Sequence, residues 1–205
     1  MATASISSDG DVESAGFNYA EIIVIRHGET EWNANGRIQG HLEVGLNDNG
    51  RLQSAAVAER LSKEPKVSAI YSSDLRRALD TAEIIATSCG GLEVIKDPAL
   101  RERHSGDLQG IVRHEAAMIN PKAHKASLSR CKDQEIPSIG DKHRGERVVV
   151  VTHGGVMRAL HKRAYPHEHA KKVWTTSVSV FHLSDDDEWN IKLWGDVSHF
   201  KKSAV

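Results

Sequence analysis

Two apolar runs in this chain stop on the same pair of residues. EIIVI (21–25) passes straight into Arg26-His27-Gly28, and VVVVT (148–152) passes into His153-Gly154-Gly155. A continuous run of aliphatic residues has no polar face, so each belongs to a strand covered on both sides, as in a parallel sheet with helices above and below it. Apolar strands usually end in neutral turns. Two that end in an imidazole and a glycine raise the question of what meets them there.

The rest of the chain supplies the covering layers. Residues 47–64 read as an amphipathic helix with Leu52, Ala55 and Ala56 on its apolar stripe and Asn47 or Asp48 as its cap. A strand at 67–73 follows, then a helix at 74–91 opened by Asp74 and closed by Gly90 and Gly91, then a strand at 92–97. The valine strand runs on into a helix at 156–164. Strands at 176–183 and 188–196 are joined by the hairpin-like DDDE. Alternation of this kind predicts an α/β fold, a three-layer sandwich with a mostly parallel central sheet and helices on both faces.

A length of 205 residues allows one domain with short tails. The segment MATASISSDGDVESAG is small, polar and acidic, without the basic start and apolar middle of a secretory signal or the arginines of a transit peptide. Residues 1–18 therefore read as a disordered tail and 19–205 as the folded domain, in the cytoplasm. No apolar run reaches the roughly 18 residues that cross a bilayer, and a net charge of −1 gives no global attraction to nucleic acid or to an anionic membrane. Cys89 and Cys131 stand in no metal or redox spacing, as free thiols in a reducing compartment would. Any anion must be held by a local cluster.

Open parallel sheets bind ligands beyond the carboxyl ends of their strands, which is where both His-Gly pairs lie. The glycines let the backbone turn sharply and come close to a ligand. A third strand, AIYSS, ends at Ser72-Ser73-Asp74 and opens a helix carrying Arg76 and Arg77, and LRERHSGDLQG brings Glu102 shortly after the next strand. Each of these residues alone has an ordinary structural explanation. Together at one sheet edge they form a coherent reagent set. Arginines fork onto phosphate oxygens, and a neutral imidazole can attack phosphorus to form a covalent intermediate. The second histidine and the arginines would stabilise the equatorial charge, and a carboxyl group would protonate the departing alkoxide. The ligand implied is a small phosphorylated metabolite. No HExxH or CxxC spacing is present, so neither a metal nor another cofactor is expected.

RHGETEWN (26–33), YSSDLRRALDTA (71–82), LRERHSGDLQG (100–110) and VVTHGGVMRAL (150–160), in that order, resemble the histidine phosphatase (phosphoglycerate mutase-like) superfamily, and within it plant phosphoglycerate mutase-like and metal-independent phosphatase proteins. The resemblance runs from about residue 21 to the end. It implies that His27 is the nucleophile, that Arg26, Arg77 and His153 hold the phosphoryl group, and that Glu102 is the proton donor. Asn33 and the Gly154 backbone would add hydrogen bonds to phosphate. Arg77, directly before the alanine of the family motif, is preferred to Arg76, which is the second choice for substrate binding.

The resemblance leaves three activities open. A phosphatase is favoured over a mutase because the mutase segment carries a tyrosine where this chain has Ser105; Arg113, Lys122, Lys125 and Arg130 offer one cation for a substrate carboxylate. The third reading is a phospholigand-binding protein without turnover. Its motive is 129–146, which shows no helical periodicity, so that a helix near 137–146 is expected to be missing and an apolar patch exposed beside the His153 strand. The C-terminal strands leave a sheet edge open to a homodimer.

Overall fold

The computed structural model describes residues 19–127, 136–184, 186 and 188–200. The expected tail 1–18, Arg130, Cys131 and two aspartates of the DDDE turn lie outside the described residues.

In chain order the elements are β1 Tyr19–Arg26, α1 Glu31–Ala34, α2 Asp48–Ser62, β2 Ala69–Ser72, α3 Arg76–Ser88, β3 Val94–Lys96, α4 Ala116–Ile119, α5 Pro121–Ser127, α6 Ile136–Lys142, β4 Arg147–Thr152, α7 Gly154–Ala164, β5 Val178–Ser184 and β6 Trp189–Asp196. Six strands form one sheet in the order β3-β2-β4-β1-β5-β6. β3, β2, β4 and β1 run parallel, and β5 and β6 add an antiparallel edge.

The two runs that lacked a polar face are the central pair of the sheet. Because side chains alternate along a strand, Ile22 and Val24 of β1 lie on one face with Val148 and Val150 of β4, while Ile23 and Ile25 lie on the other with Val149 and Val151. All eight are fully buried. The first face is covered by Val156, Met157 and Leu160 of α7 and by Ile139 of α6. The second is covered by Val57, Ala58 and Leu61 of α2 and by Ala78, Ala82, Ile85 and Ala86 of α3.

Three local expectations are corrected. The buried stripe of α2 is Gly50, Ser54, Val57, Ala58 and Leu61, and Leu52 is 71% exposed. The stripe is rotated because its first turn must sit against the Gly28 loop, which only small residues allow. Asn47 caps α2, its side chain accepting the Gly50 N–H at 2.7 Å. α3 begins at Arg76 with Leu75 at the cap position, and Asp74 is drawn instead into a fork with Arg101. The helix expected to be missing near 137–146 is present as α6. Ile139 is buried there, and Gly140 packs so closely on Leu183 and Ile22 that a Cβ would fall 2.4 Å from the Leu183 methyl. Two turns are too short to print a periodicity in sequence. The apolar patch beside the His153 strand is therefore covered.

Candidate active site

Strand register builds the site. Arg26 of β1 pairs with Thr152 of β4, and the His27 N–H donates to the Thr152 carbonyl at 2.9 Å, so the residues that follow each strand lie side by side. The His27 and His153 rings stand 5.2 Å apart, centre to centre, tilted by 56°. On the other side of β4, Ser72 pairs with Val151, which brings the Ser73 hydroxyl to 2.9 Å from His153 Nε2. Ser73 Oγ also accepts the Leu75 N–H at 3.3 Å. The direction of the Ser73–His153 hydrogen bond is set by the His153 tautomer, because a hydroxyl can donate one proton and accept two.

His27 is oriented by its neighbour's backbone. Its Nδ1 donates to the Gly28 carbonyl at 2.7 Å, since a carbonyl can only accept, and Nε2 keeps the lone pair. Burial, and then the charges of Arg77, His153 and Arg26, holds His27 well below the ordinary imidazole value; burial and the two arginines do the same for His153. A neutral imidazole is the nucleophilic form.

Arg26 is gripped by the loop that precedes β5. Its Nη1 donates to the Val173 carbonyl at 2.9 Å, and its own carbonyl accepts the Thr176 N–H at 2.9 Å. Thr176 is buried at a φ of +51°, a strained backbone for a threonine. Arg77 points from the first turn of α3 to the carbonyls of Gly40, at 2.8 Å, and Leu42, at 3.2 Å. Burial pushes both guanidinium groups down to about 10, opposed by the Glu102 carboxylate, and both remain charged at neutral pH. The Nε–H of each is buried with no acceptor among the described residues, and His153 Nδ1 has no partner there. Buried donors are rarely left so. An oxyanion would satisfy them.

Glu102 arrives on a loop tied to the end of β4, where Thr152 Oγ1 donates to the Leu100 carbonyl at 2.7 Å. Its carboxylate accepts the Arg103 N–H at 3.0 Å and the Gly155 N–H at 3.1 Å. A Cβ on Gly155 would lie 2.0 Å from Glu102 Oε1. None of Gly28, Gly154 or Gly155 has a positive φ, so no left-handed backbone requires glycine there. They are needed for closeness: a Cβ on Gly28 would meet the Gly50 carbonyl at 2.6 Å.

These groups border a cleft of about 100 Å³. Arg26, Arg37, Arg77, Arg103, Arg113 and Arg158 line it, and Glu102 is the one carboxylate there among the described residues. The cation cluster is therefore local in a chain whose net charge is −1. Residues 22–197 match the histidine phosphatase superfamily (branch 1). The chain belongs to that superfamily. It is 54% identical to phosphoglycerate mutase-like protein 4 of Arabidopsis thaliana, over 94% of this chain and 92% of that one. It is 47% identical to the metal-independent phosphoserine phosphatase of the same plant, over 94% and 87%. A phosphoserine phosphatase variant from Entamoeba histolytica, solved with phosphoserine, superposes with a TM-score of 0.75 at 25% identity, covering 88% of this chain and 99% of that one. As a histidine phosphatase, this protein is a phosphomonoester hydrolase acting on small phosphorylated substrates.

The histidine phosphatase cleft gathers Arg26, His27, Asn33, Arg77 and Glu102 at its lining, with His153 packed beside His27. Asn33 turns its side-chain oxygen to the Thr30 N–H at 3.2 Å, leaving Nδ2 for the cleft. Gly154 opens α7, where its N–H has no acceptor within the helix. Arg76 is not brought in: it is exposed and pairs with Asp80 at 3.5 Å. Of the cations after Gly110, Arg113 reaches the cleft, whereas Lys122 and Lys125 are exposed on α5. Arg37, Arg103 and Arg158 escaped the sequence reading. Arg158 had a legible signal, lying one turn into the helix that His153 opens. Among the described residues no helix is long and apolar enough to cross a membrane.

Proposed function

We propose that this protein hydrolyses a small phosphomonoester bearing a second anionic group, by a metal-independent route through phosphohistidine at His27. The carrying observation is the pair of buried donors without acceptors among the described residues, Arg26 Nε and Arg77 Nε, with His153 Nδ1 unpartnered beside them, around a neutral imidazole with its Nε2 lone pair free. The Nε2 lone pair attacks phosphorus while the ester P–O bond breaks, and a proton that Glu102 takes up with the bound substrate passes to the departing alkoxide. Arg26, Arg77 and His153 hold the equatorial oxygens, with Asn33 Nδ2 and the Gly154 N–H as further donors. Glu102, now a carboxylate, then takes a proton from water, whose oxygen attacks phosphorus as the P–N bond breaks. Inorganic phosphate leaves and His27 is restored.

Two arginines suffice for one phosphoryl group, and Arg113 and Arg158 line the cleft beside them. A carboxylate beside the phosphate would match them, as in phosphoserine or 3-phosphoglycerate. Ser105, at the lining, leaves room for water, which favours hydrolysis over retention of the phosphoryl group for a mutase cycle. The test is phosphate release from a panel of phosphomonoesters, with and without 2,3-bisphosphoglycerate and with chelator throughout. Release from carboxylated esters, with acid-labile, alkali-stable label on His27 that His27→Ala abolishes, is expected. Isomerisation dependent on the bisphosphate would establish the mutase, and phosphate binding without turnover would establish a binding protein.

A further inference from the structure

Gly28, between the nucleophile and the cleft wall, is held from both ends. Its carbonyl accepts His27 Nδ1–H at 2.7 Å, which leaves the His27 lone pair on Nε2. Its N–H donates to Thr81 Oγ1 at 3.0 Å. Thr81 is fully buried on α3, one turn after Arg77, and its hydroxyl proton goes to the Arg77 carbonyl at 2.8 Å. Donor and acceptor roles in this chain are unambiguous, because an amide N–H only donates and a carbonyl only accepts. Gly28 cannot drift to another partner. A Cβ there would meet the Gly50 carbonyl at 2.6 Å and Ser54 Oγ at 2.7 Å, so the backbone is pressed against the first turn of α2. The Ser54 hydroxyl is itself committed to the Gly50 carbonyl at 2.7 Å.

We infer that Thr81 is a positioning residue for phosphoryl transfer, a single hydroxyl that joins the nucleophile's loop to the residue bearing the phosphate-gripping arginine. This rests on His27 being the nucleophile. β1 carries His27 and α3 carries Arg77, and no backbone ladder connects a strand to a helix packed on its face. The Gly28–Thr81–Arg77 chain supplies that link. It sets the aim of Nε2 relative to the Arg77 guanidinium, and misplacement of reacting groups by about 1 Å costs on the order of 100-fold in rate.

The experiment measures the rate of His27 phosphorylation by a nitrophenyl phosphate, whose leaving group needs no proton, in the full chain with rapid quenching. Absence of label on His27 in the parent protein would remove the mechanism on which this inference rests, and is scored first. Thr81→Val keeps the shape and loses the hydroxyl. It is expected to lower kcat by about 10- to 100-fold, with KM changed far less, and to mix the His27 ring tautomers seen by nitrogen-15 NMR. Thr81→Ser, which keeps the hydroxyl, is expected to restore both the rate and the single Nδ1–H tautomer. A merely structural threonine would not give rescue of tautomer and kcat together. Should Thr81→Val fail to fold, Thr81→Cys, whose sulfur is a weak acceptor, takes its place and should fall between the parent and a full loss. Parental phosphorylation rates in a folded Thr81→Val or Thr81→Cys would overturn the inference.

Discussion

Replacing Gly155 by alanine should separate stability from catalysis in this protein. The added Cβ would sit 2.0 Å from Glu102 Oε1 and 3.0 Å from its carboxyl carbon, so the carboxylate has to leave its place. Leaving costs the fold little, because the displaced atoms are the end of a flexible, half-buried side chain. The backbone gains: Gly155 lies in the first turn of α7 at an ordinary φ, and glycine is worse than alanine inside helices by up to about 1 kcal/mol. The melting temperature should therefore hold or rise slightly. Glu102, swung away from the Gly155 N–H, can no longer meet the leaving oxygen. General acid catalysis contributes about 10²–10⁴-fold, or roughly 2.7–5.4 kcal/mol of barrier at 1.36 kcal/mol per decade. Steady-state assays of Gly155→Ala should show a loss of that size in kcat on an alkyl phosphate. Phosphorylation of His27 by a nitrophenyl phosphate should fall far less. Glu102→Gln should behave alike, and the double variant should be no slower than the worse single one, because both remove the same proton donor. Parental turnover of the alkyl ester by Gly155→Ala would mean that the carboxylate does not act from this position, and the assignment of Glu102 as proton donor would go with it.

Two further outcomes follow from burial. His27 and His153 are held below the usual imidazole pKa of about 6.5, so below that pH the unfolded chain binds protons that the folded chain does not. Their contribution to stability is intact above about pH 6.5 and is lost as pH falls towards the folded values; urea titrations across this window should show a steeper decline in the parent than in His27→Gln, and equal slopes would contradict the burial argument. At Gly140, a valine would drive its Cβ to 2.4 Å from the Leu183 methyl and 3.0 Å from that of Ile22. Overpacking of this kind costs about 1–3 kcal/mol, so thermal unfolding should shift down while kcat per folded molecule stays at the parental level; an unchanged melting temperature would show that α6 does not pack as described.

The sequence alone determined the layers. Four valines and EIIVI read as strands buried on both faces, and their endings name His27, His153 and Arg26, while the family resemblance adds Arg77 and Glu102. Such information is local, carried by side-chain period and by what a strand end can expose. The tertiary structure decided everything that depends on register and close approach. Pairing of Arg26 with Thr152 sets the two imidazoles 5.2 Å apart, across more than a hundred intervening residues. It exposed Arg76 while burying its neighbour Arg77, because one helical position changes direction by about 100°. It also rotated the α2 stripe away from Leu52, towards the small residues that admit Gly28. α6 stayed hidden because two turns are too short to leave a period to detect. Gly155 read as a turn residue, and only the packed site shows that its missing methyl is the space the Glu102 carboxylate fills.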